Sequence, residues 1–313
     1  MVSKFSFNDR LVDWNNPKKT KKQKKLLSFR GNLLNSRMKY PLIVKVDMAK
    51  RRIRDIVNKY GEDECYIGFS GGKDSTILSH IILSLGYKID HVYSNTRLEY
   101  PECIKFSKKW CKNKNVKLIT VIPEIRPEEI WKKHGYPMFS KETADILERV
   151  RKSKKVNPKK IKKIKGFLKF KNLPISAKCC DLLKKKPMKK WAKKSGKKVA
   201  ILGTRAEESQ VRRTVWVRKG CIYENNERVV VTPIIFFTEK DIEDYAKQHN
   251  IKFADIYYKG FKRNGCYCCG FGCHIAKENN FVKLKKLNPV LWKNVMNHWG
   301  FEKICKECGI KTG

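Results

Sequence analysis

A short glycine-rich loop, Ser-Gly-Gly-Lys-Asp-Ser, occupies residues 70–75. It lies between an apolar run typical of a buried strand and a run whose apolar side chains recur at helical spacing. The N–H groups of a tight glycine turn, the positive end of the following helix and a lysine ammonium all favour a bound anion. The spacing is not that of the Walker loop. The sequence therefore predicts a phosphate site made by Ser70, Gly71, Gly72, Lys73, Asp74 and Ser75.

Twelve cysteines are the second feature with chemical potential. In a reducing compartment, clustered cysteines indicate metal or thiol chemistry more than disulfides. Cys179 and Cys180 are adjacent, and Cys266 and Cys269 form a C-x-x-C pair. Four thiolates suit an iron–sulfur cluster or zinc. The sequence therefore predicts a metal centre on these four cysteines.

Zinc has a rival ligand set, because a second C-x-x-C pair stands at Cys305 and Cys308. Together with the pair at 266 and 269 it has the spacing of a zinc ribbon, provided that the long gap closes. Cys268, Cys273 and His274 are further potential ligands. The cysteines that stand alone are expected to be buried thiols without a ligand: Cys65, Cys103, Cys111 and Cys221.

Strand-like and helix-like runs that could position these groups alternate along the chain from Val46 onward. Such alternation predicts an α/β fold with a doubly wound, mostly parallel sheet and ligands at the carboxyl ends of the strands. A later helix is expected to begin at Thr238, with Asp241 completing a variant of the capping box. The phosphate loop and the first strand would then share one edge of the sheet.

Three regions are predicted along the chain. Residues 1–45 are polar and basic and form an arm, and residues 46–260 form the nucleotide-binding α/β domain. A basic insertion near 151–171 is expected within that domain, either solvated or in contact with nucleic acid. Residues 261–313 form a cysteine-rich, helical C-terminal segment.

The formal net charge is +42, which creates a field that attracts polyanions such as nucleic acid. A general enrichment in lysine would give the same charge without a nucleic-acid partner. No signal peptide is visible at the N-terminus, and no apolar run approaches the length of a membrane span. The sequence therefore predicts a cytoplasmic protein without a membrane partner.

The loop and three downstream stretches resemble the phosphoadenosine phosphosulfate (PAPS) reductase family, within the superfamily of N-type ATP pyrophosphatases and adenine nucleotide alpha hydrolase-like folds. The loop is similar to the S-G-G-x-D-S pyrophosphate loop, and "SNTRLEYPECIKF" resembles the D-T-G-x-E-x-P-E stretch. "ILGTRAEESQVRR" resembles G-x-R-x-x-E-S-x-x-R, and "DIYYKGFKRNGCYCCGFGCH" resembles Y-x-x-G-x-x-R-x-G-C-x-x-C. The match runs in the family's order over most of 64–274. It implies an adenine-nucleotide enzyme of sulfur metabolism.

The resemblance also implies roles for single residues. The nucleotide and substrate cleft would include Thr96, Glu99, Arg205, Glu208, Arg212 and Arg263. Asn95 and Arg97 depart from the family's Asp and Gly, so the adenine or ribose contacts expected there are not carried over. The C-C…C-x-x-C arrangement is the one that holds a [4Fe-4S] cluster in one branch of the family. That places the cluster on Cys179, Cys180, Cys266 and Cys269, with zinc as the rival.

The last residues, "KECGIKTG", resemble the E-C-G-[LI]-H tail whose cysteine is the nucleophile of sulfonucleotide reductases. Cys308 fills the cysteine position, whereas Lys311 replaces the histidine. The resemblance implies that Cys308 is catalytic, together with Lys73 and Arg205 at the loop. A thiolate there would attack the sulfur of the sulfonucleotide, and a metal ligand or an idle thiol is the alternative.

Two functions follow from these features. The first is thiol-dependent reduction of PAPS or adenosine phosphosulfate (APS) to sulfite, with a thioredoxin-like donor. The second is an ATP-dependent, AMP-forming sulfurtransferase that thiolates tRNA or DNA and uses Mg²⁺ with its ATP. The intact loop and the positive charge favour the second, and the cysteine pattern with its tail favours the first.

Overall fold

The computed structural model describes residues 20–225 and 228–313. The first nineteen residues of the predicted basic arm lie outside the described residues, and the rest of that arm is helical. The chain divides into two compact units. Unit 1 comprises residues 73–91 and 197–253 together with the described part of the chain before Ser70, and unit 2 comprises residues 70–72, 92–196 and 254–313. Neither unit is continuous in sequence, and the predicted boundaries after residues 45 and 260 stay predictions.

The strands are β1 (Cys65–Gly68), β2 (Asp90–Ser94), β3 (Leu118–Val121), β4 (Met138–Phe139), β5 (Val199–Leu202), β6 (Ile222–Asn225), β7 (Arg228–Val231) and β8 (Gly270–Phe271). The helices are α1 (Lys21–Met38), α2 (Leu42–Tyr60), α3 (Lys73–Leu83), α4 (Pro101–Asn113), α5 (Pro127–His134), α6 (Lys141–Arg151), α7 (Pro158–Lys163), α8 (Lys178–Cys180), α9 (Lys186–Ser195), α10 (Gln210–Lys219), α11 (Glu239–Gln248), α12 (Asn280–Leu287), α13 (Pro289–Lys293) and α14 (Phe301–Glu307).

The larger sheet has the strand order β3-β2-β1-β5-β7-β6. In unit 1, β1 pairs with β5 in parallel, with Gly68 opposite Leu202, and β5 pairs with β7 in parallel. Strand β6 is antiparallel to β7. The strand β2 begins in unit 1 and ends in unit 2, where β3 lies. Because the order reverses beside β1, the fold is the predicted α/β fold with a doubly wound, mostly parallel sheet.

Local sequence explains how the main helices of unit 1 begin. Helix α3 starts at Lys73, directly after the glycine turn. Helix α11 starts after Thr238, whose hydroxyl accepts from the backbone N–H of Asp241, while the Asp241 carboxylate accepts from the N–H of Thr238 at 2.6 Å. This capping box was predicted from the sequence and is confirmed. The buried Lys45 ammonium, 2.5 Å from the Asp241 carboxylate, ties α11 to α2.

Each unit has its own apolar core. In unit 1, Leu34 of α1 is buried with Trp216 and Phe236. In unit 2, one large cluster joins the aromatic and aliphatic side chains of the middle and C-terminal segments, including Trp131, Met138, Phe139, Phe281 and Phe301. The C-terminal cysteine-rich segment is therefore part of the packed core of unit 2 and carries helices α12–α14, as predicted.

A two-stranded parallel sheet in unit 2 includes the backbone directly after Cys269. In it, Met138 lies opposite Gly270. A Cβ on Gly270 would lie 2.6 Å from the carbonyl oxygen of Pro137. Only a glycine allows this close approach.

The predicted basic insertion is ordered as helix α7 followed by a 3₁₀ turn over Lys165–Phe170. The side chains of Phe167, Leu168 and Phe170 are partly buried against the core of unit 2. Its lysines are mostly exposed. Among the described helices, none has both the length and the apolar character that crossing a bilayer needs.

Candidate functional site

In unit 1, the second half of the phosphate loop meets the turn that follows β5. Lys73, Asp74 and Ser75 form the first turn of α3. A Cβ on Gly203 would lie 3.0 Å from the carbonyl oxygen of Asp74 and 3.1 Å from the backbone nitrogen of Ser75. A side chain there would push the helix start away, so glycine is needed for this contact. The carboxyl ends of neighbouring parallel strands are where open α/β sheets bind ligands.

Arg205 is the most heavily engaged cation of unit 1, and its residue is only 5% exposed. Its guanidinium lies 2.7 Å from Asp74, 2.9 Å from Glu207 and 2.5 Å from Glu239. The pKa of Arg205 is raised, because the charges and hydrogen bonds of Asp74 and Glu239 outweigh the lowering effect of burial. A planar guanidinium placed this way can also bind a phosphate or sulfate through two parallel hydrogen bonds.

Lys73 lies beside the same carboxylate. Its ammonium is 2.8 Å from Glu239 and 3.4 Å from Glu243, both on α11. Burial lowers the pKa of Lys73, but the hydrogen bond and charge of Glu239 outweigh it, so the net shift is upward. Glu239 thus forms ion pairs with both Lys73 and Arg205, the two cations that the sequence predicts at the phosphate site. No local sequence signal identified Glu239, because an acid directly after a capping threonine is common at helix starts.

The pKa values of the Glu239 and Asp74 carboxyls are shifted in opposite directions. Burial raises the pKa of Glu239, but the hydrogen bond from Lys73 and the charge of Arg205 outweigh it and lower the pKa overall. Burial dominates at Asp74, so the pKa of Asp74 is raised although Arg205 pairs with it. Glu239 is therefore the carboxylate held most firmly in its charged form between the two cations.

Glu208 and Arg212, two further predicted cleft residues of unit 1, bind each other. The Glu208 carboxylate accepts from the backbone N–H of Arg205 at 3.1 Å and forms an ion pair with Arg212, one turn along the helix. Glu208 thereby fixes the backbone turn that presents the Arg205 side chain. The two residues position Arg205 in this structure, whatever contact they make with a ligand.

In unit 2, the first half of the loop is held by the segment that leads to the cysteines. Gly71 has φ +66°, and a Cβ there would lie 3.0 Å from the carbonyl oxygen of Cys103. A Cβ on Gly72 would lie 2.8 Å from the Asn264 side chain, whose amide donates to the carbonyl oxygen of Ser70 at 2.8 Å. Asn264 precedes Cys266 by two residues. The loop glycines and the cysteine segment therefore belong to one local structure.

Thr96 and Glu99 are buried in unit 2 and bind each other. The backbone N–H and the hydroxyl of Thr96 both donate to the Glu99 carboxylate at 2.8 Å. The Thr96 hydroxyl is also 3.8 Å from the Cys266 sulfur, and the Lys184 ammonium is 3.9 Å from Glu99. These two predicted nucleotide-binding residues thus contact the cysteine segment in this structure. The predicted cleft residue Arg263 is exposed on the preceding loop.

The four predicted metal ligands all lie in unit 2. Cys179 and Cys180 are on the short helix α8. The segment of Cys266 is fixed by a bridge between Cys266 and Glu99 and by the N–H of Tyr267, which donates to the carbonyl oxygen of Leu98. Cys180 interacts electrostatically with both Cys266 and Cys269. Cys180 therefore lies in the same region of unit 2 as the C-x-x-C pair, from which the sequence separates it.

The thiols of the first pair are not equivalent. The hydrogen bond from the Cys179 thiol lowers the pKa of Cys180 to about 6 against the effect of burial, and Lys141 and Lys184 help to lower it. The same hydrogen bond, with burial, raises the pKa of Cys179. Burial also raises the pKa of Cys266 to about 11. Cys180 is thus a thiolate near neutral pH, and a thiolate is the form that binds metal.

The donor set fits an iron–sulfur cluster in its chemistry, since such clusters are held by four cysteine thiolates. In a tetrahedral zinc site each sulfur lies about 2.3 Å from one ion. Across residues 20–225 and 228–313, no three His, Cys, Asp or Glu side chains are gathered tightly enough to hold a single metal ion.

The second C-x-x-C pair lies elsewhere in unit 2. Cys305 interacts electrostatically with Cys273 and Cys308, and all three are buried. Burial raises the pKa of Cys308 to about 12. The tail around it is held down, because the Asn279 side chain donates to the carbonyl oxygen of Lys311 at 2.7 Å, and Trp292 donates to that of Thr312 at 2.8 Å. Cys308 is therefore a protonated thiol inside the core in this conformation.

Comparison with known proteins agrees with the motifs. The model of the phosphoadenosine phosphosulfate reductase domain family matches residues 64–270. The uncharacterized protein MJ0973 of Methanocaldococcus jannaschii is 24% identical over 82% of this chain and 55% of its own length. An adenosine 5'-phosphosulfate reductase of Bacillus mycoides is 23% identical over 68% of this chain and 75% of its own length. The chain spans about half the length of the first curated relatives that it matches, at 55% and 44%.

Two solved structures illustrate the range of similar folds. A PAPS reductase from Candida auris in a phosphate complex has a TM-score of 0.46 and 14% identity, over 80% of this chain and 96% of that one. The U34-tRNA thiolase NcsA from Methanococcus maripaludis, with its [4Fe-4S] cluster, has a TM-score of 0.41 and 11% identity, over 83% of this chain and 79% of that one. With its loop, its cysteine pairs and a family match over residues 64–270, the chain belongs to the phosphoadenosine phosphosulfate reductase domain family.

Proposed function

We propose that this chain is an enzyme that binds an adenine nucleotide at Ser70–Ser75 and reduces a sulfonucleotide, PAPS or APS, to sulfite. The observation that carries the proposal is the contact of Asn264 with Ser70 at 2.8 Å. Because Asn264 precedes Cys266 by two residues, this contact supports a link between the first half of the phosphate loop and the segment of Cys266 and Cys269 within unit 2. Membership of the PAPS reductase domain family supports the same chemistry.

The residues have separate tasks in this proposal. The N–H groups of the glycine turn and the start of α3 bind the phosphate, as helix starts commonly do. Lys73 and Arg205 neutralise its charge, and Gly203 keeps the neighbouring backbone close enough to complete the turn. Glu208 and Arg212 hold the Arg205 turn in place. Ser75, Thr96, Glu99 and Arg263 complete the predicted cleft, with their ligand contacts still predictions.

Cys308 is the proposed nucleophile. Its thiolate attacks the sulfur of the sulfonucleotide, so that an S–S bond forms while the S–O bond to the nucleotide breaks and the adenosine phosphate leaves. A thioredoxin-like dithiol then supplies two electrons and two protons, which releases sulfite, restores the Cys308 thiol and leaves the donor as a disulfide. This step requires the tail to leave its contacts with Asn279 and Trp292, because Cys308 is only 7% exposed.

Cys179, Cys180, Cys266 and Cys269 would hold a [4Fe-4S] cluster. When bound, such a cluster supplies an iron–sulfur centre whose properties depend on burial and on hydrogen bonds to its sulfurs. The Thr96 hydroxyl, which donates to Glu99, lies 3.8 Å from the Cys266 sulfur. Lys141 and Lys184 favour the thiolate form of Cys180. These residues would therefore prepare and support the ligands.

The test is release of sulfite from PAPS and from APS by anaerobically prepared protein, with a dithiol donor. We expect release with at least one substrate, loss of it in Cys308→Ser, and retention in Cys111→Ser, which changes a buried cysteine of α4. Absence of sulfite with both substrates and in the presence of bound iron would contradict the proposal. Sulfite release that survives in Cys308→Ser would assign the nucleophile elsewhere.

A second candidate is an ATP-dependent sulfurtransferase that adenylates a nucleic acid and releases pyrophosphate. The outer sulfur of a persulfide then displaces AMP, and a second thiol breaks the resulting S–S bond, which releases the thiolated nucleic acid and leaves a disulfide. Two observations favour it. The loop keeps the S-G-G-x-D-S pattern, and Lys73 and Arg205 both form an ion pair with the Glu239 carboxylate. Cys308 is a buried thiol with its pKa raised to about 12. The test is conversion of ATP to AMP and pyrophosphate with Mg²⁺. Turnover that depends on added tRNA or DNA supports this candidate, and turnover indifferent to them counts against it.

A further inference from the structure

One stretch of unit 2 carries positive charge without any acid. Residues 149–180, here named the basic segment, contain thirteen lysines and arginines and no aspartate or glutamate. The segment includes the end of α6, helix α7, the 3₁₀ turn after it and the first cysteine pair. The charge density of the segment, +13 over 32 residues, is about three times that of the whole chain, +42 over 313 residues.

The cations of the basic segment are mostly exposed and have few opposite charges beside them. Two ion pairs involve its lysines among the described residues, Lys152 with Glu148 and Lys163 with Glu142, both at 2.7 Å. Both acids stand before the segment, in α6. The remaining exposed lysines are Lys154, Lys155, Lys159, Lys160, Lys162, Lys165, Lys169, Lys171 and Lys178. The surface therefore keeps a strong positive field.

The surface is concave where several of these cations meet. One cavity of about 280 Å³ is lined by Arg149, Lys152, Lys154 and Lys178, with Asp145 and Glu148 on its wall. A second of about 140 Å³ shares Arg149 and Asp145 with it and adds Asn157 and Lys160. The four cations of the first hollow can take a phosphate group, and the second hollow, which also has the apolar Ile146 and Val156 in its lining, adds Lys160 beside it. Such spacing suits a chain of phosphates better than a single anion.

The basic segment ends at the cysteine site. Lys178 begins the short helix that carries Cys179 and Cys180. A polyanion lying on this surface would therefore be led toward the predicted metal ligands of the same unit.

The apolar side chains of the segment indicate which polyanion fits. Phe167, Leu168 and Phe170 are packed against the core of unit 2, so they are not offered to a bilayer or to a protein partner. Binding to a membrane surface needs apolar side chains that enter the acyl boundary. Protein interfaces depend on buried aromatic anchors. A nucleic-acid backbone needs only spaced cations, since phosphate contacts supply most of non-specific affinity.

We propose that a nucleic acid docks on the basic segment through its phosphodiester backbone. This goes beyond the reduction of a free sulfonucleotide, which needs no surface of this length. The docking is independent of turnover, because none of its cations belongs to the phosphate loop. RNA and DNA offer the same backbone charge, and a test with both tells which of them binds more tightly.

The experiment compares two variants that each lose four exposed lysines. The test variant carries Lys154→Gln, Lys155→Gln, Lys160→Gln and Lys162→Gln, in the basic segment. The matched control carries Lys105→Gln, Lys108→Gln, Lys109→Gln and Lys112→Gln, on α4 of the same unit. Binding of a labelled tRNA and of a labelled duplex DNA is measured by anisotropy between about 50 and 200 mM salt. Thermal unfolding and ATP affinity confirm that each variant is folded.

We expect the wild type to bind with a steep salt dependence and the test variant to bind at least about tenfold more weakly. The slope of log K against log salt should fall by about 3 for duplex DNA, at about 0.9 per lost phosphate contact. The affinity and the salt slope of the control variant should change much less. Equal losses in both variants, absence of wild-type binding, or equally tight binding of polyglutamate or of anionic lipid vesicles would overturn the proposal. Absence of sulfite release in the sulfonucleotide assay would not overturn the proposal, because docking is measured without turnover.

Discussion

Lys73 and Glu239 stand 166 residues apart in the sequence, and their side chains form an ion pair at 2.8 Å. The same carboxylate lies 2.5 Å from Arg205. In the proposed function, an incoming phosphate binds the cations that Glu239 already neutralises. The affinity of the loop for a nucleotide is therefore the difference between two competing anions, one of which belongs to the protein.

Glu239→Gln should strengthen binding of pyrophosphate and ATP. The neutral amide holds Lys73 and Arg205 less firmly, because hydrogen bonds to a charged partner are roughly twice as strong as neutral ones. We expect Kd to fall by up to about tenfold, which corresponds to about 1.4 kcal/mol, in isothermal titration calorimetry. Glu243→Gln is the control, since Glu243 pairs more weakly with Lys73, at 3.4 Å, and has no ion pair with Arg205 among the described residues. Weaker binding in Glu239→Gln would show that the carboxylate assists the ligand.

Arg205→Ala should destabilise the fold as well as abolish nucleotide binding. The substitution leaves Asp74, Glu207 and Glu239 near one another without the buried cation that they share. Breaking a buried ion pair on one side costs about 3 kcal/mol or more. Urea unfolding should report that loss, and Arg205→Lys should recover part of the stability but little of the binding. A wild-type unfolding curve for Arg205→Ala would contradict the role given to this network.

Gly203→Ala tests the contact between the two strand ends. The added Cβ would lie 3.0 Å from the Asp74 carbonyl oxygen, so the start of α3 must shift. We expect weaker nucleotide binding with a smaller effect on thermal stability. Gly166→Ala is the matched control, because a Cβ there meets nothing within 4 Å. Similar affinities in both variants would remove Gly203 from the site.

Alkylation tests the state of the tail. With its pKa raised to about 12 by burial, about one Cys308 thiol in ten thousand is ionised at pH 8. Cys180, with its pKa lowered to about 6, is mostly thiolate in metal-free protein at that pH. Iodoacetamide should therefore modify Cys180 first and Cys308 only after unfolding, as read by peptide mass spectrometry. Rising pH should speed the Cys308 reaction. Rapid labelling of Cys308 at pH 8 would show that the tail opens readily.

The visible spectrum tests the metal. Anaerobically purified protein should absorb broadly near about 400 nm if iron and sulfide are bound. Cys180→Ser and Cys269→Ser should lose that band, and Cys111→Ser should keep it. Loss of iron in equal measure from all three, or a colourless protein with bound zinc, would contradict the assignment of the four ligands.

Much of the fold could be predicted, because strand and helix periods and the glycine turn are local signals. Lys73 and the capping pair at Thr238 were found in this way. Glu239 was missed, since its partners come from distant segments and its own position looks like ordinary capping chemistry. The tail motif identified Cys308 but gave no sign that Asn279 and Trp292 hold the tail down. Such contacts depend on tertiary packing, which no short motif encodes.

The discontinuous path of the chain has a consequence for its synthesis. Strand β1 lies between β2 and β5, and its β5 partner exists only after residue 199 has left the ribosome. The rest of unit 1 is complete only with residue 253. Contacts between such distant segments slow folding. Shortened versions that stop before residue 253 should therefore fail to fold as unit 1, and the side of newly made β1 that pairs with β5 stays open until residues 199–202 are made.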